Sequence, residues 1–67
     1  MKPETWFLFY EDIEDREVYA GRTTEADVAR DFYETQKAVR PYGRSSVLII
    51  TPSETSWANS STQWDKL

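Results

Sequence analysis

The chain has 67 residues, with 12 Asp and Glu against 8 Lys and Arg for a net charge of −4, and contains neither Cys nor His. These absences exclude disulfide staples and the common zinc sites, and the acidic balance argues against a nucleic-acid footprint spread over the whole chain. A core of this size rarely supplies more than about 3–5 kcal/mol of net stability. The weight of the fold therefore falls on three Trp, four Tyr and three Phe, each able to bury about 150–250 Å².

Residues 1–4 read as a lead-in, with Pro3 marking where structure starts. Thr5 to Glu11 is the most apolar run and predicts a strand. Trp6, Leu8 and Tyr10 point to one face, and Phe7 and Phe9 to the other. A strand apolar on both sides belongs at the centre of its sheet. Asp12 to Arg16 reads as a hairpin turn. No Asn-Gly or Asp-Gly pair is present to specify a tight turn, so a loop of four or five residues is expected. Glu17 to Gly21 is short and flanked by charge, as an edge strand that resists aggregation should be.

Thr24 opens a helix, and its hydroxyl is placed to accept from the Asp27 amide in a capping-box-like pattern. The helix ends near Val39 or Arg40, because Pro41 disfavours helical geometry before it. Val28, Phe32, Thr35 and Val39 form its apolar stripe at 3.6-residue spacing, with Tyr33 towards the solvated side. Asp27, Arg30, Glu34 and Lys37 alternate in sign on the far face. After a turn at Pro41 to Arg44, Ser46 to Thr51 is a third strand, again apolar on both faces and ended by Pro52. The tail is rich in Ser and Thr yet carries Trp57 and Trp64, which a disordered tail would lack. It is expected to dock back, with Thr62 to Leu67 as a possible fourth strand.

The predicted fold is α+β: a β-β-α-β(-β) domain with an antiparallel sheet of order 2-1-3 and one helix on one face. Residues 1–67 form one small domain, with 1–52 the core and 53–67 a docking tail or short last strand. The second sheet face is apolar and has no helix to cover it. It meets the tail through Trp57 and Trp64, another copy of the chain, or a different molecule.

Enzyme chemistry finds no support in the residues. There is no His base, no Cys nucleophile and no Gly-rich phosphate loop, only Gly21 and Gly43. Glu11, Asp12, Glu14 and Asp15 offer carboxylates, but without the ligand spacing and turn glycine of a calcium loop; they read as a charged loop that keeps the hairpin soluble. No metal or cofactor is expected. Arg22, Lys37, Arg40 and Arg44 form at most a local basic edge, so nucleic acid is not the expected partner.

No apolar stretch reaches the ~20 residues of a membrane span and no signal segment is visible, so the expected location is the cytoplasm, that of the host if a phage encodes the chain. The sequence reading is a small, acidic, non-catalytic protein-binding module. Size and composition suggest a phage or mobile-element inhibitor that occludes a surface of a host defence protein. The alternatives are a self-associating, dimeric accessory subunit and an acidic mimic of nucleic acid. Candidate partner-binding residues are Glu11, Asp12, Glu14, Asp15, Asp31, Tyr33, Tyr42, Trp57 and Trp64.

Overall fold

The computed structural model describes residues 4–67; Pro3, expected to open the first strand, lies outside the described residues. Strand β1 (Trp6–Ile13) pairs antiparallel with β2 (Arg16–Thr23). After the helix α1 (Ala26–Val39), β3 (Val47–Ile50) pairs antiparallel with the other edge of β1. Next come β4 (Thr55–Trp57), antiparallel to β3, and a single 3-10 turn, η1 (Trp64–Lys66). The sheet has four strands in the order β2-β1-β3-β4. The expected α+β architecture, with the most apolar strand inside an antiparallel sheet, is what the chain adopts.

The hairpin differs from expectation. Ile13 pairs with Arg16, so Glu14 and Asp15 alone make the turn, with φ of 52° and 63°. Two central residues at positive φ match the twist of the flanking strands, as in a type I′ turn. Asp tolerates this region better than Glu does. The expected loop of four or five residues is thus a two-residue turn, and both strands are longer than their hydrophobic cores suggested. Cross-strand pairing carries the chain into the turn against the preference of Glu14.

Further along the hairpin, Phe9 pairs with Gly21 and Tyr10 with Tyr19, leaving Ala20 as an extra residue on β2. This is a β-bulge, which sharpens local twist. Gly21 sits beside it at φ 141°, in a region that side-chain-bearing residues rarely adopt, while a Cβ there would come no closer than 3.9 Å to Phe9. The glycine is required by the backbone rather than by space.

The helix begins one residue later than its capping pattern predicted. Glu25 occupies the N-cap without a side-chain cap bond. The Thr23 hydroxyl, rather than Thr24, accepts from the Glu25 amide at 3.1 Å. Because β2 runs to Thr23, the hydroxyl at the strand-to-helix junction is the one at hand.

The buried stripe is also rotated from the predicted one. Ala29 is fully buried, with Ala26, Phe32 and Tyr33 packed against the same core. Val28 and Val39 stay exposed, at 45% and 69%. A methyl at position 29 lets the helix approach the sheet closely, and that approach decides the face more than the placement of two valines does. On the solvated side Arg30 and Glu34 pair at 3.2 Å, as the i,i+4 spacing predicted.

The fourth strand is Thr55–Trp57, not the expected Thr62 to Leu67. Thr51 organises the connection that makes it. Its amide donates to the Glu54 carbonyl at 2.9 Å, and its hydroxyl accepts from the Glu54 amide at 3.0 Å. A second such loop follows, where the Asn59 amide donates to the Thr62 hydroxyl and the Ser61 amide to Asn59 Oδ1. The Ser/Thr/Asn composition read as tail is therefore hydrogen-bonded turn chemistry.

The core lies between the sheet and α1. Phe7, Ala29, Val47, Ile49 and Ala58 are buried, with Phe9, Phe32, Tyr33 and Trp64 packed around them. Phe9 stacks on Phe32 at 4.4 Å between ring centroids. Trp64, presented by η1, meets Phe7 at 6.0 Å and Tyr33 at 5.7 Å. At about 1.5 Å per residue the 14-residue helix spans ~21 Å, and β3 covers β1 only from Trp6 to Phe9. The distal half of the hairpin therefore projects, and the molecule measures 40 × 20 × 18 Å. Arg40, at the C-cap of α1, closes the bare edge of β1 there, donating to the Asp12 carbonyl and lying 3.6 Å from its carboxylate.

Candidate functional site: the open sheet face

Period-two alternation and the strand register assign a face to every sheet residue. Phe7, Phe9, Val47 and Ile49 point to the helix. Trp6, Leu8 and Tyr10 on β1 point away from it, as do their partners Ile50 and Leu48 on β3, Tyr19 on β2 and Trp57 on β4. Among the described residues no element is layered over this second face; α1 and η1 both serve the first. Seven large side chains lie here, whereas Phe7 and Val47 are the largest fully buried ones on the other side.

Aromatic contacts tie the face together. Tyr10 meets Tyr19 edge-on at 5.9 Å and Trp57 edge-on at 5.5 Å, making one row across all four strands. At the other end the Arg22 guanidinium sits over the Trp6 ring, 5.0 Å from its centroid, a cation–π arrangement. The central members are half-buried by one another, while Trp57 and Tyr19 are exposed at 41% and 53%. The border is charged. Glu17 is held 3.5 Å from Arg44 and Asp12 by Arg40, while Glu11, Glu14 and Asp15 are exposed along the hairpin end.

The structure distributes the sequence-predicted site residues over several places. Glu11, Asp12, Glu14 and Asp15 share the projecting hairpin. Trp57 lies on the open face, in the row with Tyr10. Tyr33 and Trp64 pack on each other against the core, so Tyr33 belongs to the helix-sheet side rather than the solvated side. Its hydroxyl accepts from Lys37 Nζ at 3.4 Å. Asp31 is exposed on the helix, and Tyr42 is fully exposed in the following turn. The proposed tail cover is corrected by this arrangement. Trp64 fills the helix side of the sheet, and Trp57 widens the open face instead of burying it.

Trp6, Leu8, Tyr10, Tyr19, Leu48 and Ile50 are not among the candidate residues that the sequence offers. The signal was nonetheless present in the alternation of β1 and β3, which puts large apolar side chains on both faces with one helix to cover them.

Such a face can present about four strands' width of apolar and aromatic surface. Among the described residues no three carboxylates converge as a metal site would require, and no helix is long and apolar enough to cross a membrane. Comparison of the chain with models of known protein families, with curated proteins and with solved structures finds no match in any of the three.

Proposed function

We propose that this protein is a non-catalytic protein-binding module that docks through its open sheet face. The observation carrying this reading is the row Tyr19–Tyr10–Trp57, beside Leu8 and Leu48 on the same face, with no covering layer among the described residues. Tyr and Trp are the residues that most often anchor interfaces, because they bury large area at low entropic cost. The partner that fits is a protein with an apolar patch bordered by Lys and Arg. Exposed acids at the hairpin end and a net charge of −4 favour a basic rim. Occlusion of a surface on a larger protein is the form of this role that suits so small a chain, and inhibition of a host defence protein is one instance of it.

A second reading is self-association through the same face, favoured by its aromatic row, since two sheets can stack about 10 Å apart. Like charge on the two copies works against it.

The deciding experiment compares Trp57→Glu and Tyr19→Glu with the parent chain. Both positions are exposed, so circular dichroism is expected to remain that of the parent. A captured partner should be retained by the parent, released by rising salt, and lost by both variants. Retention by both would overturn the face as the docking surface. Sedimentation at micromolar concentration separates the second reading: a dimer abolished by Trp57→Glu would assign the face to another copy.

A further inference from the structure

On the helix side of the sheet, the C-terminal end of α1 and two loops border an open cavity of about 330 Å³. This is at the small end of the usual ligand-pocket range of about 300–1,000 Å³. Lys37, Arg40 and Arg44 line it, together with Ser45, Ser46 and Ser60, and none of its lining residues is Asp or Glu; the Ser45 hydroxyl is engaged with the Val47 backbone, which leaves those of Ser46 and Ser60. A chain of net charge −4 thus gathers three of its eight basic residues around one cavity. Their ordinary role at this end of α1 is to complement its negative pole, and two of the carbonyls there already have amide partners. The Arg40 amide closes on Gln36 at 2.8 Å, and the Gly43 amide on Arg40 at 3.0 Å.

We infer that this cavity is a binding site for a phosphate group. The chemistry is that of a compact oxyanion met by fixed guanidinium forks, an ammonium and hydroxyl donors. Each arginine is steered from behind by a carboxylate outside the lining: Arg40 by Asp12, and Arg44 by Glu17 at 3.5 Å. Each bridge is made through Nη1, one of the three guanidinium nitrogens that share an arginine's five N–H donors. Pre-orientation lowers the entropy lost when an anion arrives. Lys37 is anchored similarly, with its ammonium on the Tyr33 hydroxyl and 5.6 Å from the ring centroid.

The arginines are half or more exposed, so solvent screens their field and the expected affinity for inorganic phosphate is millimolar.

The test is a titration followed by amide chemical shifts at constant ionic strength. Its three arms are inorganic phosphate, a short phosphoserine peptide and the same peptide unphosphorylated. Inorganic phosphate should give saturating shifts confined to residues 43–46 and 58–60. Lys37→Gln and Arg44→Gln should each weaken it at least fivefold, and Lys66→Gln, outside the cavity, should not. Tighter binding of the phosphopeptide would assign the phosphate to a modified side chain, and equal binding to a free anion site. The inference is overturned by shifts that stay linear in phosphate, by equal shifts with chloride, by parental affinity in both variants, or by equal binding of the two peptides. Trp57 and Tyr19, whose replacement tests the open face, are absent from the lining, and Lys37→Gln leaves that face untouched, so either proposal can fail without the other.

Discussion

Trp57 reaches over β3 to meet Tyr10 of β1 edge-on, with 5.5 Å between ring centroids. A three-residue edge strand is thereby fastened to the centre of the sheet by a contact on the face that carries no second layer. Trp64, seven residues later, does the opposite work, closing the helix side against Phe7 and Tyr33.

The two tryptophans should therefore separate cleanly on substitution. Trp64→Ala removes a half-buried ring from the core and should cost about 3–5 kcal/mol at most, reduced by its partial exposure. Trp57→Ala gives up an exposed aromatic contact and should cost about 0.5–1.5 kcal/mol. Urea denaturation followed by circular dichroism measures both, and equal losses would contradict the division of labour.

The hairpin turn is built from a residue ill suited to it. Replacing Glu14 and Asp15 with Asn and Gly supplies the pair that type I′ geometry favours and relieves a left-handed conformation costing roughly 1–2 kcal/mol per residue. The double variant should raise the urea midpoint without changing the slope. A lowered midpoint would mean that the turn is not of this type.

Gly21 should resist replacement for backbone reasons alone. At φ 141°, where a Cβ would make only an ordinary contact with Phe9 at 3.9 Å, Gly21→Ala should cost about 1–3 kcal/mol. Gly21→Ser should cost about the same, because both substitutions add the Cβ that this backbone conformation disfavours. A much larger loss for serine would point to crowding instead.

Arg40 guards the edge of β1 where β3 has already ended. Asp12 Oδ1 is buried without a hydrogen-bond partner, so the carboxylate depends on the nearby guanidinium. Arg40→Met keeps much of the stem's bulk and should cost about 1–3 kcal/mol by leaving the Asp12 groups unpaired. Hydrogen exchange should quicken first in residues 10–19, ahead of the core amides around Phe7 and Val47.

Much of the fold is legible in the residues. The two strands apolar on both faces, the helix stopping before Pro41 and the central place of β1 all follow from periodicity and proline. The misjudged features share a cause: they depend on tertiary pairing that overrides local preference. Cross-strand register carries the hairpin through Glu14. Close packing at Ala29 turns the helix away from Val28 and Val39. Three-residue β4 is too short for any periodic signal, and its turn is specified by one threonine hydroxyl. The site was legible only in outline, as a face without a cover. That Trp57 belongs to that face, and Trp64 to the other, depends on where the chain turns at residues 51–54 and 59–62.

The bulge at Ala20 bears on something larger than one molecule. β2 leaves eight residues of backbone at the rim of the sheet, long enough to template a neighbour's strand and begin a filament. An unmatched residue in its middle breaks the even spacing of donors and acceptors such a neighbour would need, and Arg16, Glu17 and Arg22 add charge along the same stretch. Excising Ala20 would straighten that rim, and the expected product is a chain that polymerises on standing where the parent stays dispersed.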